Sequence, residues 1–219
     1  EWETSESNFE RAIVNNPSNA KAHYFYAQYC LIVGRFEEAI QEMRRALQLD
    51  PLSPLYNTQL GGVFLNAGRL DEAIAQLRLT LNLFPDEALA HEYLGLAYLQ
   101  KGMFAPGITE IQKRNSLMWW VDPDLSLELA YAFAVSGKHE EARRILNNVL
   151  KGSGQRTVSM SGIASVYTAL GDKEAAIAWL QKAVKQHEGE TLWIKTDPTW
   201  DSLRSDSRFQ ALLKKMDLD

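Results

Sequence analysis

Apolar residues along the chain recur at helical spacing, in blocks separated by short polar turns. Phe36, Ala39, Ile40, Met43, Ala46 and Leu47 fall on one face of a helix, as do Leu70, Ala73, Ile74, Leu77 and Leu81. The pattern returns in Ala142, Ile145, Leu146 and Val149, and again in Ala176, Ile177, Leu180, Ala183 and Val184. Each block follows a second helical stretch, such as Leu60, Gly61, Phe64 and Leu65 or Leu94, Gly95, Tyr98 and Leu99. The spacing predicts paired helices throughout and an all-α chain.

The pairs keep a fixed period. Gly34, Gly68, Gly102, Gly137 and Gly171 lie 34, 34, 35 and 34 residues apart, and Pro17, Pro51 and Pro85 are also 34 apart. A glycine between two helices supplies the positive φ that turns the chain back, and a proline after the second helix cannot continue it. Each period therefore reads as helix, tight turn, helix, stop.

The residues Asn57, Leu60, Gly61, Phe64, Ala73, Leu77 and Pro85, and again His91, Leu94, Gly95 and Tyr98, form a pattern that resembles the tetratricopeptide repeat (TPR). Five repeats are placed at 20–53, 54–87, 88–121, 123–156 and 157–190. Residues 1–19 match the second half of another, with Trp2, Ser5, Phe9, Ala12 and Pro17 in register, as expected of a chain cut from a longer protein. The resemblance implies a right-handed superhelix, an α-solenoid of helix-turn-helix repeats, with the region 191–219 as a C-terminal cap. In that cap Phe209, Leu212, Leu213 and Met216 share a face, which predicts a helix from about Asp206 to Met216.

The third repeat departs from the pattern. Gly107 replaces the small alanine, Pro106 is expected to interrupt the second helix early, and Lys113–Pro123 reads as a distorted loop. Pro106 is tolerable if it lies in the first turn. Trp119 and Trp120 have two readings, as an exposed anchor for a partner or as filling for the irregular register. The Gly-Ser-Gly at 152–154 reads as a loop.

The tail also has a resemblance of its own. Trp193, Lys195, Asp197-Pro198, Trp200, Asp201, Leu203 to Asp206 and Arg208-Phe209 are similar to tails that follow TPR arrays in bacterial multidomain signalling proteins. Those proteins include winged-helix transcription regulators, Ser/Thr kinases and adenylate-cyclase-like proteins.

Composition narrows the function classes. The net charge is −5, with 23 Lys+Arg against 28 Asp+Glu, so a generic phosphate-binding surface is not expected and no nucleic acid is assigned to this region. No apolar run approaches membrane-spanning length, so no membrane insertion is expected. A cytoplasmic location is expected, or a periplasmic one if a span lies upstream. Cys30, the sole cysteine, occupies the slot held elsewhere by Phe64, Tyr98, Phe133 and Tyr167, and reads as a buried thiol. His23, His91, His139 and His187 lie in different repeats and form no ligand set. There is no phosphate loop, no nucleophile elbow and no catalytic constellation, so no enzyme, cofactor or metal is expected. The doublets Arg44-Arg45, Arg143-Arg144 and Lys214-Lys215 read as solvated faces.

The remaining candidate is the groove that the resemblance implies on the concave side, lined by first helices. It assigns peptide contacts to Tyr24, Gln28, Thr58, Gly62, Asn66, Glu92, Leu96, Gln100, Leu127, Tyr131 and Ser161. Their apolar and amide groups suit an extended or helical peptide, and Gly62 would let a ligand backbone approach closely. The Lys/Asn/Arg carboxylate clamp of some family members is absent, because Tyr24, Gln28, Asn57-Thr58, Leu89 and Tyr93 stand in its places. The expected function is a non-catalytic protein-interaction module binding a protein or peptide partner, as a regulatory part of a larger bacterial signalling or transcription-regulatory protein. The alternative is a structural spacer or self-association element, with a homodimer through the repeat ends.

Overall fold

The computed structural model describes residues 2–118, 126–152 and 158–218. The described residues are helical, with no strand among them. Pairs of helices follow one another: α1 (Trp2–Asn15); α2 (Ala20–Val33) and α3 (Phe36–Leu49); α4 (Pro54–Asn66) and α5 (Leu70–Leu83); α6 (Ala88–Gln100) and α7 (Phe104–Leu117). After these come α8 (Leu127–Val135) and α9 (His139–Gly152), α10 (Met160–Ala169) and α11 (Lys173–Lys185). Two 3₁₀ turns, Gly189–Trp193 and Pro198–Leu203, lead to α12 (Ser207–Lys215). The chain forms two compact units, residues 1–94 and 95–219, divided within α6.

The punctuation works as the period requires. All five periodic glycines have φ between 71° and 88°. The residue after each glycine closes the helix end: Arg35 N–H donates to the Cys30 carbonyl at 2.8 Å, Arg69 to Phe64 at 2.9 Å and Met103 to Tyr98 at 2.8 Å. Asn19, Ser53, Ser126 and Ser159 cap the starts of α2, α4, α8 and α10 with side-chain oxygens.

A second periodic lock lies at the fourth position of the first three repeats. His23 Nε2 meets the Pro17 carbonyl at 3.1 Å, Asn57 Nδ2 donates to the Pro51 carbonyl at 3.0 Å, and His91 Nε2 meets the Pro85 carbonyl at 3.0 Å. All three side chains are buried. The proline thus stops one helix and offers its carbonyl as a fixed acceptor for the next, which gives each of these buried side chains a partner.

In the N-terminal unit, α1 is held on α2 and α3 by Glu6. Its carboxylate pairs with Arg35 at 2.6 Å and accepts from Tyr29 Oη at 3.2 Å. The Arg35 contact holds Glu6 below the usual carboxylate range. Arg35 also lies over the Tyr26 and Tyr29 rings, at 5.9 and 5.3 Å. Cys30 is fully buried beneath them, and burial pushes its thiol up to about 12.

In the C-terminal unit the core joins Leu99, Ile108, Ile111, Leu129, Ile145, Leu146, Ile163 and Val166. The third repeat is more regular than its sequence suggests. Helix α7 runs through Pro106, its third residue, because an N–H in the first turn has no intrahelical acceptor to lose. It continues to Leu117, so Lys113–Leu117 is helix and not loop. The buried Asn115 donates to Ser126 Oγ at 2.9 Å. Trp119, Trp120, Pro123 and residues 153–154 lie outside the described residues.

The tail forms a terminal unit on α10 and α11. Helix α12 begins one residue after Asp206, which caps it, and buries Phe209, Leu212 and Leu213. It packs on α11, and Arg208 bridges Glu174 at 2.5 Å and Asp206 at 2.8 Å.

Candidate functional site

First helices and second helices differ in charge. Helices α2 and α4 together carry one ionisable lysine, Lys21, and no acid, while α3 and α5 carry Glu37, Glu38, Glu42, Asp71 and Glu72 with their arginines. A nearly uncharged helix pays little desolvation when covered, so it can be buried by neighbours or by a ligand.

The N-terminal unit leaves part of this layer open. The Tyr24 ring is half-buried, 5.0 Å from Phe25 and 5.6 Å from Tyr56 by centroids. Burial raises the Tyr24 phenol above its ordinary value. Phe25 is 43% exposed, with the Lys21 ammonium 5.7 Å from its ring. Leu55, next to Tyr56 on α4, is 44% exposed. Gln28 bridges the two helices through a 3.3 Å bond from Nε2 to Gln59 Oε1. Each amide keeps unused donor and acceptor capacity after that bond.

Other expected groove residues are differently placed. Thr58 is 1% exposed, and its hydroxyl finds no protein partner among the described residues. Gly62 is buried: a Cβ there would stand 2.6 Å from the Tyr93 ring. The missing side chain therefore admits Tyr93 rather than a ligand backbone. Asn66 is half-buried and returns its amide to the Gly62 carbonyl at 2.9 Å. Glu92 is half-buried on α6.

In the C-terminal unit, Leu96 is half-buried against the core and Gln100 is exposed at the end of α6. Leu127 is buried, close enough to Gly162 that a Cβ there would meet it at 2.9 Å. Ser161 is 5% exposed, and its hydroxyl and N–H both donate to Glu188, at 2.9 Å each. Glu188 also accepts from Met160 N–H at 2.8 Å, so a carboxylate from beyond α11 caps the start of α10. Tyr131 is hydrogen-bonded to Thr199 of the tail, and burial pushes its phenol up to about 12. Ser161, Leu127 and Thr58 are thus taken up inside the protein and Tyr131 by the tail. Sequence spacing assigned them a direction but could not show what fills it.

Phe25 was missed by the positional assignment. The signal available was its i, i+4 spacing from Lys21 on a helix otherwise without charge.

Profiles describing the tetratricopeptide repeat match residues 1–54 and 127–191, and a second such profile matches 31–97. The chain belongs to the tetratricopeptide repeat family. Members of this TPR family are protein-interaction modules, and the profiles indicate no enzymatic family. Solved TPR structures share the fold. PilF of Pseudomonas aeruginosa is 23% identical, with a TM-score of 0.57 over 88% of this chain and 87% of that one. PilW, a type IV pilus biogenesis factor, is 15% identical, with a TM-score of 0.62 over 97% and 90%. A TPR protein from Parabacteroides merdae is 17% identical, with a TM-score of 0.58 over 99% and 86%. No curated protein sequence matches the chain.

Among the described residues, no cluster of three His, Cys, Asp or Glu side chains could hold a metal ion. No described helix is long and apolar enough to cross a membrane.

Proposed function

We propose that this TPR array binds a peptide segment of a partner protein on the first-helix face of its N-terminal unit. The carrying observation is open apolar surface, Phe25 beside the Tyr24 ring and Leu55 next to Tyr56, on helices that carry no acid. Apolar anchors of the partner would be buried there, while Gln28 and Asn66 supply amide groups for its backbone. Lys21 favours an acidic residue near the Phe25 end. Glu92, on the part of α6 that belongs to the same unit, continues the lining. The similarity of the tail to those following TPR arrays in bacterial signalling proteins supports a regulatory role within a larger protein of that kind.

The test is selection of peptides from a displayed library on the whole chain, followed by fluorescence anisotropy. Selected peptides are expected to lose at least tenfold in affinity for Tyr24→Ala and Phe25→Ala, with helical circular dichroism unchanged. Failure to select any peptide, or equal binding to both variants, would remove this face from consideration.

A further inference from the structure

The tail does more than cover the last repeat. The Pro198–Leu203 turn packs on α10, and its Thr199 is hydrogen-bonded to Tyr131 on α8, a first helix one repeat earlier. Trp200 and Leu203 in that turn are 5% and 0% exposed. Ile194, just before it, is fully buried. The turn brings its own polar closure. Asp197 accepts the Thr199 N–H at 2.8 Å, and Arg204 donates to the carbonyls of Lys195 and Asp197 and to the Asp201 carboxylate. These bonds are made within the tail, without help from α8 or α10. What the repeats receive is a compact apolar wedge with one hydroxyl aimed at a tyrosine. That is how a peptide ligand is recognised: a buried anchor for affinity and a single polar contact for orientation.

Helix α10 is rich in small residues, Ser161, Gly162, Ala164 and Ser165, and the Ser165 and Thr168 hydroxyls bond back to their own helix. With Glu188 already bound at its first turn, α10 carries no charged residue of its own.

We infer that the segment Asp197–Leu203 is an intramolecular ligand of the first-helix surface formed by α8 and α10. This surface is a peptide site already filled by its own chain, and it accepts in trans a peptide of the same chemistry: an aspartate-capped 3₁₀ turn presenting a tryptophan and a threonine. Because the tethered copy is present at an effective concentration of about millimolar, a free peptide enters only when the tail is weakened.

The experiment uses the full chain and a fluorescent synthetic peptide of residues 189–206. Wild-type protein is expected to show no saturable binding. Trp200→Ala, or the milder Asp197→Ala if the first variant loses helicity, is expected to bind the peptide at least tenfold more tightly than wild type. Adding Tyr131→Ala to either variant should abolish that gain. Equal binding to wild type and weakened variants would mean that the tail does not occupy the surface. Absence of binding to a folded weakened variant would mean that the surface does not accept the segment. Either result overturns the inference. It is independent of the N-terminal reading: Tyr24→Ala must leave this peptide's binding unchanged, and a loss there would place the peptide on the wrong unit and overturn it as well.

Discussion

Gly95 and Gly107 face each other at backbone contact: a Cβ on either would stand 3.0 Å from the carbonyl oxygen of the other. The crossing of α6 and α7 therefore has no room for a methyl group. A Cβ at Gly95 would also meet Ile111 at 2.9 Å, and one at Gly107 would meet Leu99 at 2.8 Å. Helices α3, α5, α9 and α11 carry alanine where α7 has Gly107.

Gly95→Ala sets two effects against each other. Helix propensity gains about 1 kcal/mol, while overpacking costs about 1–3 kcal/mol. Because one of the opposing atoms is backbone, the second effect wins. A net loss of about 1 kcal/mol is expected, read as a lower urea midpoint with unchanged m-value. A gain in stability would show that the helices separate freely.

The lock at position four is interchangeable between repeats. Asn57→His should retain a donor toward the Pro51 carbonyl, as His23 and His91 do toward Pro17 and Pro85. It should cost less than about 1 kcal/mol. Asn57→Leu removes the donor to the Pro51 and Ser53 carbonyls and the acceptor for Gln76, and should cost about 1–3 kcal/mol. Denaturant titration of the two variants side by side distinguishes them, and equal losses would refute the lock.

Glu188→Ala removes the acceptor of three bonds at the start of α10, two of them from backbone N–H groups that have no other acceptor in their helix. A destabilisation of about 1–3 kcal/mol is expected. Glu188→Gln keeps an oxygen acceptor and should recover part of it. Hydrogen exchange at Met160 and Ser161 should accelerate in the alanine variant, and unchanged exchange would contradict the cap.

Burial raises the Cys30 thiol from 9.0 to about 12, so the folded state stays protonated where the unfolded chain ionises. The contribution is fully present below pH 9 and is lost as pH rises toward 12, at about 1.4 kcal/mol per unit. The urea midpoint should fall over that range. Cys30→Ala should reduce the slope and Tyr131, also held near 12, should account for part of the remainder. An identical slope in the alanine variant would mean that the thiol does not stay neutral in the folded state.

Local rules of the chain were enough for the repeats. The glycine period required positive φ and turned the chain at Gly34, Gly68, Gly102, Gly137 and Gly171, and the helix faces around Ala39, Ala73, Ala142 and Ala176 buried as their spacing demands. Backbone sterics and apolar periodicity act over a few residues, so they are written in any window of the sequence. Even Pro106 obeyed the local rule for a first turn, once the helix start at Phe104 was known.

The face available to a partner is a different kind of property. Whether Gly62, Leu127, Ser161 or Tyr131 meets solvent depends on Tyr93, Gly162, Glu188 and Thr199, and all four of those partners are more than 25 residues away along the chain. Periodicity determined which residues belong to the first helices and that those helices are nearly free of charge. Only the packed structure decided that Phe25 and Leu55 remain open while the tail takes the place beside Tyr131, because occupancy of a surface is fixed by contacts between segments that no local spacing encodes.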